Sequence, residues 1–208
     1  MNWRGFKVSG RRFADFLLFA VTSVELAILV FYTPTFTYID WIYVLQHLLV
    51  LGIALTRRPP QVQDRSLGSA AAVIVSYGYP YAQVIYLNWI PGNPAWPEVG
   101  FVLVTLSAAL SLASLLTLGR LFGVRPALRG LMTKGPYGIV RHPMYLSYLI
   151  ADIGFNLQEW SIVTVLLVIV GWVSLVYRIH AEERVLAKDG GWSAYTGVVR
   201  YRLIPGVW

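Results

Sequence analysis

Side chains able to do chemistry are scarce in this sequence, and most of them fall in two short groups. One reads Gly135-Pro136-Tyr137 and then Val140-Arg141-His142-Pro143-Met144-Tyr145; the other reads Arg178-Ile179-His180-Ala181-Glu182-Glu183-Arg184. Arginine and histidine orient or neutralise an anion, and carboxylates hold a cation. Pro143 suits the first turn of a helix, where its missing N–H costs nothing. That start sets Arg141 and His142 at a helix N-terminus, beside backbone donors and the positive end of the dipole, a corner that favours a carboxylate or another anion. If the last apolar helix continues past residue 177, Arg178 and Glu182 are four apart and share a face, and His180 and Glu183 are three apart. No second His/Glu pair accompanies His180 and Glu183, so no metal is expected. Trp192, Tyr195, Arg200, Tyr201 and Arg202 form an aromatic-basic tail suited to a headgroup layer or to the lid of a site.

The elements that position these groups are apolar. Of 208 residues, 57% are hydrophobic and 13% charged, about half the charge of a soluble domain. The apolar residues come in long runs, which excludes a disordered chain, a coiled coil and an ordinary soluble globule. The net charge of +7 is too dilute for a nucleic-acid binder, so no nucleic-acid partner is expected. Cysteine is absent, which excludes disulfides, thiolate metal sites and a cysteine nucleophile.

Six runs are candidate spans: 13–32, 39–56, 69–90, 99–118, 143–157 and 161–177. The first is long enough to be a retained helix rather than a signal peptide. With six spans, the N-terminus, 57–68, 119–142 and the segment from 178 fall on one side and hold all 17 Lys and Arg. The opposite connectors, 33–38, 91–98 and 158–160, hold none. By the positive-inside rule both termini and the polar groups face the cytosol. The expected fold is therefore all-α: a polytopic integral membrane protein of about six helices, lying in the inner membrane if the source is bacterial. Residues 1–118 supply four spans, and 119–208 supply the connector with the first group, a short helical hairpin and a cytosolic tail. The run 143–157 is too short for a 30 Å hydrocarbon core and contains Asp152, so it reads as half of a hairpin buried against other helices.

Gly135-Pro136-Tyr137, Val140-Arg141-His142-Pro143-x-Tyr145, the short hairpin, Arg178 with Glu182-Glu183, and Tyr195 with Arg202-Leu203-Ile204-Pro205 together resemble the isoprenylcysteine carboxyl methyltransferase family. That family is similar to the membrane phospholipid methyltransferases. The resemblance covers about 118–208. It implies S-adenosylmethionine as methyl donor, held on the cytosolic side between hairpin and tail. It also implies that Tyr137, His142, Pro143, Tyr145, Arg178, Glu182, Glu183 and Tyr195 bind the cofactor, with Glu182 and Glu183 toward its amino group. Arg141 and Glu183 are then the catalytic candidates, Arg141 facing the acceptor carboxylate. The acceptor implied is a lipophilic or lipidated molecule entering from the bilayer. Gly138 and Gly190-Gly191 depart from the family pattern and bear on the acceptor rather than the donor.

Chemistry is consistent with that resemblance. A carboxylate nucleophile is ionised at pH 7 and needs positioning and dehydration rather than a base. Two other readings stand beside it. Sterol-type reductases resemble the same C-terminal arrangement and use NADPH, although adjacent carboxylates repel a polyphosphate. A small proton-coupled carrier would use Glu25, His47 and Asp152 as its relay, whereas Asp15, one turn from Arg11 and Arg12, reads as an interfacial ion pair. The missing internal repeat counts against a carrier.

Overall fold

The computed structural model describes residues 19–20, 22–24, 26–27, 30–31 and 38–208. The run 13–32 falls mostly outside the described residues, as do Asp15 and Glu25; its described residues are helical. From there the helices are α1 Tyr38–Thr56, α2 Leu67–Trp89, α3 Pro97–Leu118, α4 Pro143–Gln158, α5 Ile162–Leu186 and α6 Trp192–Val198. Strands β1 Val62–Gln63 and β2 Ala127–Leu128 pair antiparallel, Val62 opposite Leu128.

Local chemistry sets the helix ends. Pro97 and Pro143 open α3 and α4, where a missing N–H is harmless. The Ser66 hydroxyl accepts from Ser69 N at 3.2 Å at the start of α2. Ser161 and Thr164 form a reciprocal capping box at the start of α5, which makes the turn between α4 and α5 tight. Past residue 177 α5 continues to Leu186, so Arg178, Glu182 and Glu183 ride on one continuous helix.

The helices pair through small and polar side chains, as expected where lipid removes the hydrophobic drive between them. Residues 68, 76, 79 and 83 form one stripe of α2. Gly68 backs onto Tyr177, Ser76 Oγ lies 2.7 Å from Ser174 Oγ, Tyr79 covers Gly171, and Gln83 Nε2 donates to Thr164 O at 3.3 Å. That order makes α2 and α5 antiparallel. A Cβ on Gly154 would stand 2.8 Å from Gly100 O, so α3 and α4 touch backbone to backbone. The arms of the hairpin pack less against each other than against these partners, α4 against α3 and α5 against α2. Beside α3, α1 runs in the same direction: Gln46 Nε2 donates to Ala108 O at 3.1 Å, and Ala54 shares a core cluster with Leu115.

Asp152 ties three helices together. Tyr79 of α2 donates to its two oxygens at 2.9 and 2.8 Å, and Trp172 Nε1 of α5 donates at 2.8 Å. In α1, His47 Nδ1 lies 2.7 Å from Tyr43 O, on its own helix. Asp152 and His47 thus each have a structural partner.

At one end of the bundle the β1–β2 pair joins the connectors 57–66 and 119–142, and Arg120 Nε donates to Thr56 O at 2.6 Å. At the other end Asn93 and Trp160 bond each other at 2.8 and 3.1 Å. The connectors at the first end carry arginine and lysine; 90–96 and 159–161 carry none. Between the ends, Val102, Leu106 and Leu116 of α3 and Leu166, Ile169 and Val173 of α5 are exposed. Two helices among the described residues, Pro97–Leu121 and Ile162–Leu186, are long and apolar enough to cross a membrane by length and composition. This is fewer than the six expected spans. The apolar stretch of α1 is short, α2 is diluted by its tyrosine, glutamine and serine stripe, and α4 has only 16 residues.

Candidate active site

The site is assembled where the start of α4, the end of α5 and the tail meet. Backbone bonds fix the tail first: Arg141 N donates to Tyr201 O and His142 N to Arg202 O, both at 2.9 Å. Two amides expected to face an anion therefore hold the tail instead, because a neighbouring strand of chain supplies carbonyls at the right spacing. The anion-favouring corner read from the sequence is corrected to a clamp on residues 199–202.

Glu182 and Glu183 are neighbours on a helix, so their side chains leave it about 100° apart. Glu183 turns to the clamp. Its Oε1 accepts from Arg141 Nη1 at 3.1 Å and lies 3.4 Å from His142 Nε2, and its Oε2 accepts from Arg202 Nε at 2.9 Å and makes an ion-pair contact with Arg202 Nη2 at 2.8 Å. Arg141 also donates from Nε to Val199 O and from Nη2 to Arg200 O, both at 2.8 Å. Arg141 is thereby bound on three sides to the protein itself.

Glu182 turns the other way, into a cleft, where its Oε2 accepts from the Tyr145 hydroxyl at 2.8 Å. The Tyr145 ring stacks at 15° on His142 and lies 5.2 Å from the Arg178 guanidinium, which Tyr77 covers at 5.5 Å on the α2 side. Arg178, 3% exposed, donates from Nη2 to Val124 O at 3.2 Å. It reaches Glu182 through Tyr145 rather than directly. Pro143 is buried at the first turn of α4 and does not line the cleft.

The cleft is small in this structure, about 60 Å³, below the ~300–1,000 Å³ usual for small-molecule sites. Tyr137, Arg141, His142, Glu182 and Tyr195 line it, together with Leu118, Leu121, Leu131, Met132 and Leu186. Tyr195 donates to Tyr137 O at 2.8 Å and so ties α6 to the turn at Gly135–Gly138, where Gly135 has φ +57°. Burial raises both phenols. Tyr137 moves well up, with Glu182 adding to the shift; Tyr195 is pushed up to about 12, the Arg141 charge opposing. Both phenols stay protonated at neutral pH, so the Tyr195 hydroxyl remains a donor.

Of the residues expected in the site, Tyr137, Arg141, His142, Glu182 and Tyr195 line the cleft, while Glu183, Pro143, Tyr145 and Arg178 stand behind it. Sequence reasoning missed Arg125, Arg129 and Gly123 on the same wall. No spacing rule marks them, because they reach the cleft only after β1 and β2 pair. Arg202 was legible as part of the tail pattern but not as a partner of Glu183.

The bundle has apolar outer faces on α3 and α5 and carries a polar cleft at its charged end. Residues 97–189 match the family model of the phospholipid methyltransferases. That segment runs from the start of α3 past the end of α5, and it bears out the resemblance to the membrane methyltransferases read from the motifs. With the two apolar helices, the match suggests a methyltransferase located in a membrane. No curated protein matches the chain.

Proposed function

We propose that the protein is an S-adenosylmethionine-dependent membrane methyltransferase acting on a lipophilic acceptor, most simply a carboxylate that enters from the bilayer. The observation that carries this reading is the cleft itself. Inside the family-matched segment it presents Glu182 beside Tyr137, Arg141 and His142, with apolar side chains on the remaining wall.

The lining fits such a donor. Glu182 is the one carboxylate lining the cleft among the described residues, placed to hold an ammonium. When bound, the donor supplies a methyl group on a sulfonium, which leaves as a neutral thioether. The chain's own part is positional. Tyr145 holds the Glu182 carboxylate by its hydroxyl, and Arg178 holds the Tyr145 ring. The Glu183 clamp keeps residues 199–202 against the start of α4 and limits water at the polar end. Arg141, Arg125 and Arg129 outnumber Glu182 on the wall, which suits a ligand that carries a carboxylate. A carboxylate also needs no base, and His142 is already turned to Glu183. In this reading the helices span the membrane with both termini and the cleft on the cytosolic side, as the distribution of basic residues supports.

Calorimetry in detergent tests the reading. S-adenosylmethionine and its demethylated product should bind the folded protein, and NADPH should not. Radiolabelled methyl should then pass to a panel of lipophilic carboxylic acids, with thiols and amines for comparison. Absence of binding at millimolar donor with the protein still folded refutes the reading; transfer to amines alone refutes the acceptor class.

A further inference from the structure

The connector 119–142 carries a feature that none of the motif residues explains. Arg125 lines the cleft, yet its Nε is buried and bonds nothing. Its Nη2 is anchored to Ser66 O at 3.3 Å, the carbonyl at the start of α2, and the β1–β2 pair that follows fixes the backbone beside it. Asp64, an acid whose carboxyl the Arg125 charge reaches, has one oxygen taken by Ser66 N at 2.8 Å. On the same wall the Arg129 guanidinium lies on Gly123. A Cβ at Gly123 would stand 2.7 Å from the Arg129 Cζ, so only glycine leaves that seat open. A buried N–H with no acceptor costs free energy unless a ligand supplies one.

Resting on the proposed donor, we infer that Arg125, with Arg129 beside it, forms an anion subsite that takes the carboxylate of the donor's amino-acid end, while Glu182 takes its ammonium. A zwitterion needs one group of each sign at separate points of the cleft, and this lining supplies both. The cationic residues of the first motif do not fill the role: Arg141 is committed to Glu183 and two tail carbonyls, and His142 to Glu183. Arg125 is therefore a binding residue for the donor that lies outside every motif read from the sequence.

The test compares two ligands on one protein, so that a general loss of fold weakens both alike. S-adenosylmethionine and its decarboxylated analogue are titrated by calorimetry into wild type, Arg125→Gln and Gly123→Ala. Wild type should prefer the carboxylate-bearing ligand about 10- to 100-fold, the range of a charge-assisted hydrogen bond. Arg125→Gln should reduce that preference to about threefold or less, by weakening S-adenosylmethionine alone. Gly123→Ala should act in the same direction by displacing Arg129. An unchanged preference in Arg125→Gln overturns the inference. So does unchanged donor binding with a raised KM for an anionic acceptor, which would give the subsite to the acceptor. Failure of wild type to bind either ligand instead refutes the methyltransferase reading itself.

Discussion

Replacing Glu183 by glutamine should open the tail without emptying the cleft. The Glu183 carboxylate receives two hydrogen bonds, from Arg141 at 3.1 Å and Arg202 at 2.9 Å, and an ion-pair contact from Arg202 Nη2 at 2.8 Å, with its side chain 11% exposed. Each charge-assisted bond contributes about 1.5–3 kcal/mol, and stranding a buried partner costs about 3–5 kcal/mol. Arg202 is 29% exposed and recovers much of its loss from water, whereas Arg141 keeps its bonds to Val199 O and Arg200 O. A net cost of about 2 kcal/mol follows, which raises the open population of the tail about 30-fold. Limited proteolysis reads this directly, since cleavage tracks the open fraction when closing is fast. Cuts near Arg200 and Arg202 should accelerate by that order in Glu183→Gln. In Glu182→Gln the tail should resist as in wild type, while donor affinity falls. Equal tail protection in both variants would refute the division of labour between the two glutamates.

Arg141→Lys keeps a charge for Glu183 but cannot donate to Glu183, Val199 O and Arg200 O together; tail cleavage should accelerate about tenfold, and turnover should fall although the charge is kept, measured by methyl transfer. Asp152→Asn exchanges an acceptor-only group for an amide that also presents N–H toward Tyr79 and Trp172, so a loss of about 2–3 kcal/mol is expected in unfolding, with donor affinity unchanged in calorimetry. Gly154→Ala places a methyl 2.8 Å from Gly100 O, forcing α3 and α4 apart at a cost of about 1–3 kcal/mol; a variant as stable as wild type in detergent melting would show that this contact relaxes freely.

The sequence displays what depends on local period and on strings of side chains. The start of α4 was readable from Pro143, because proline acts over one turn. Distances between elements were not readable. Arg141 looked ready for a substrate anion because its motif shows charge and position but not the tail carbonyls that claim it. Asp152 was readable as part of a hairpin buried against other helices, because an acid in an apolar run is rare, but its donors, Tyr79 and Trp172, lie 73 and 20 residues away and were not readable. Arg125 looked like one more anchoring cation. Its buried Nε on a cleft wall, a feature Arg129 shares, exists only once β1 and β2 meet.

The adjacency of Glu182 and Glu183 is the point at which sequence and geometry meet. One helix step separates a carboxylate saturated by two arginines and approached by a histidine from a carboxylate held by a single phenol and open to the cleft. The saturated one cannot also hold a ligand's ammonium without releasing the tail. The open one cannot close the tail, because it faces Tyr145. Binding and closure therefore sit on separate groups but on one rigid helix, α5. Bound donor contacts Glu182 on the same turn that anchors residues 199–202, so saturating donor should slow tail cleavage in wild type, while Glu182→Gln without donor keeps the wild-type rate.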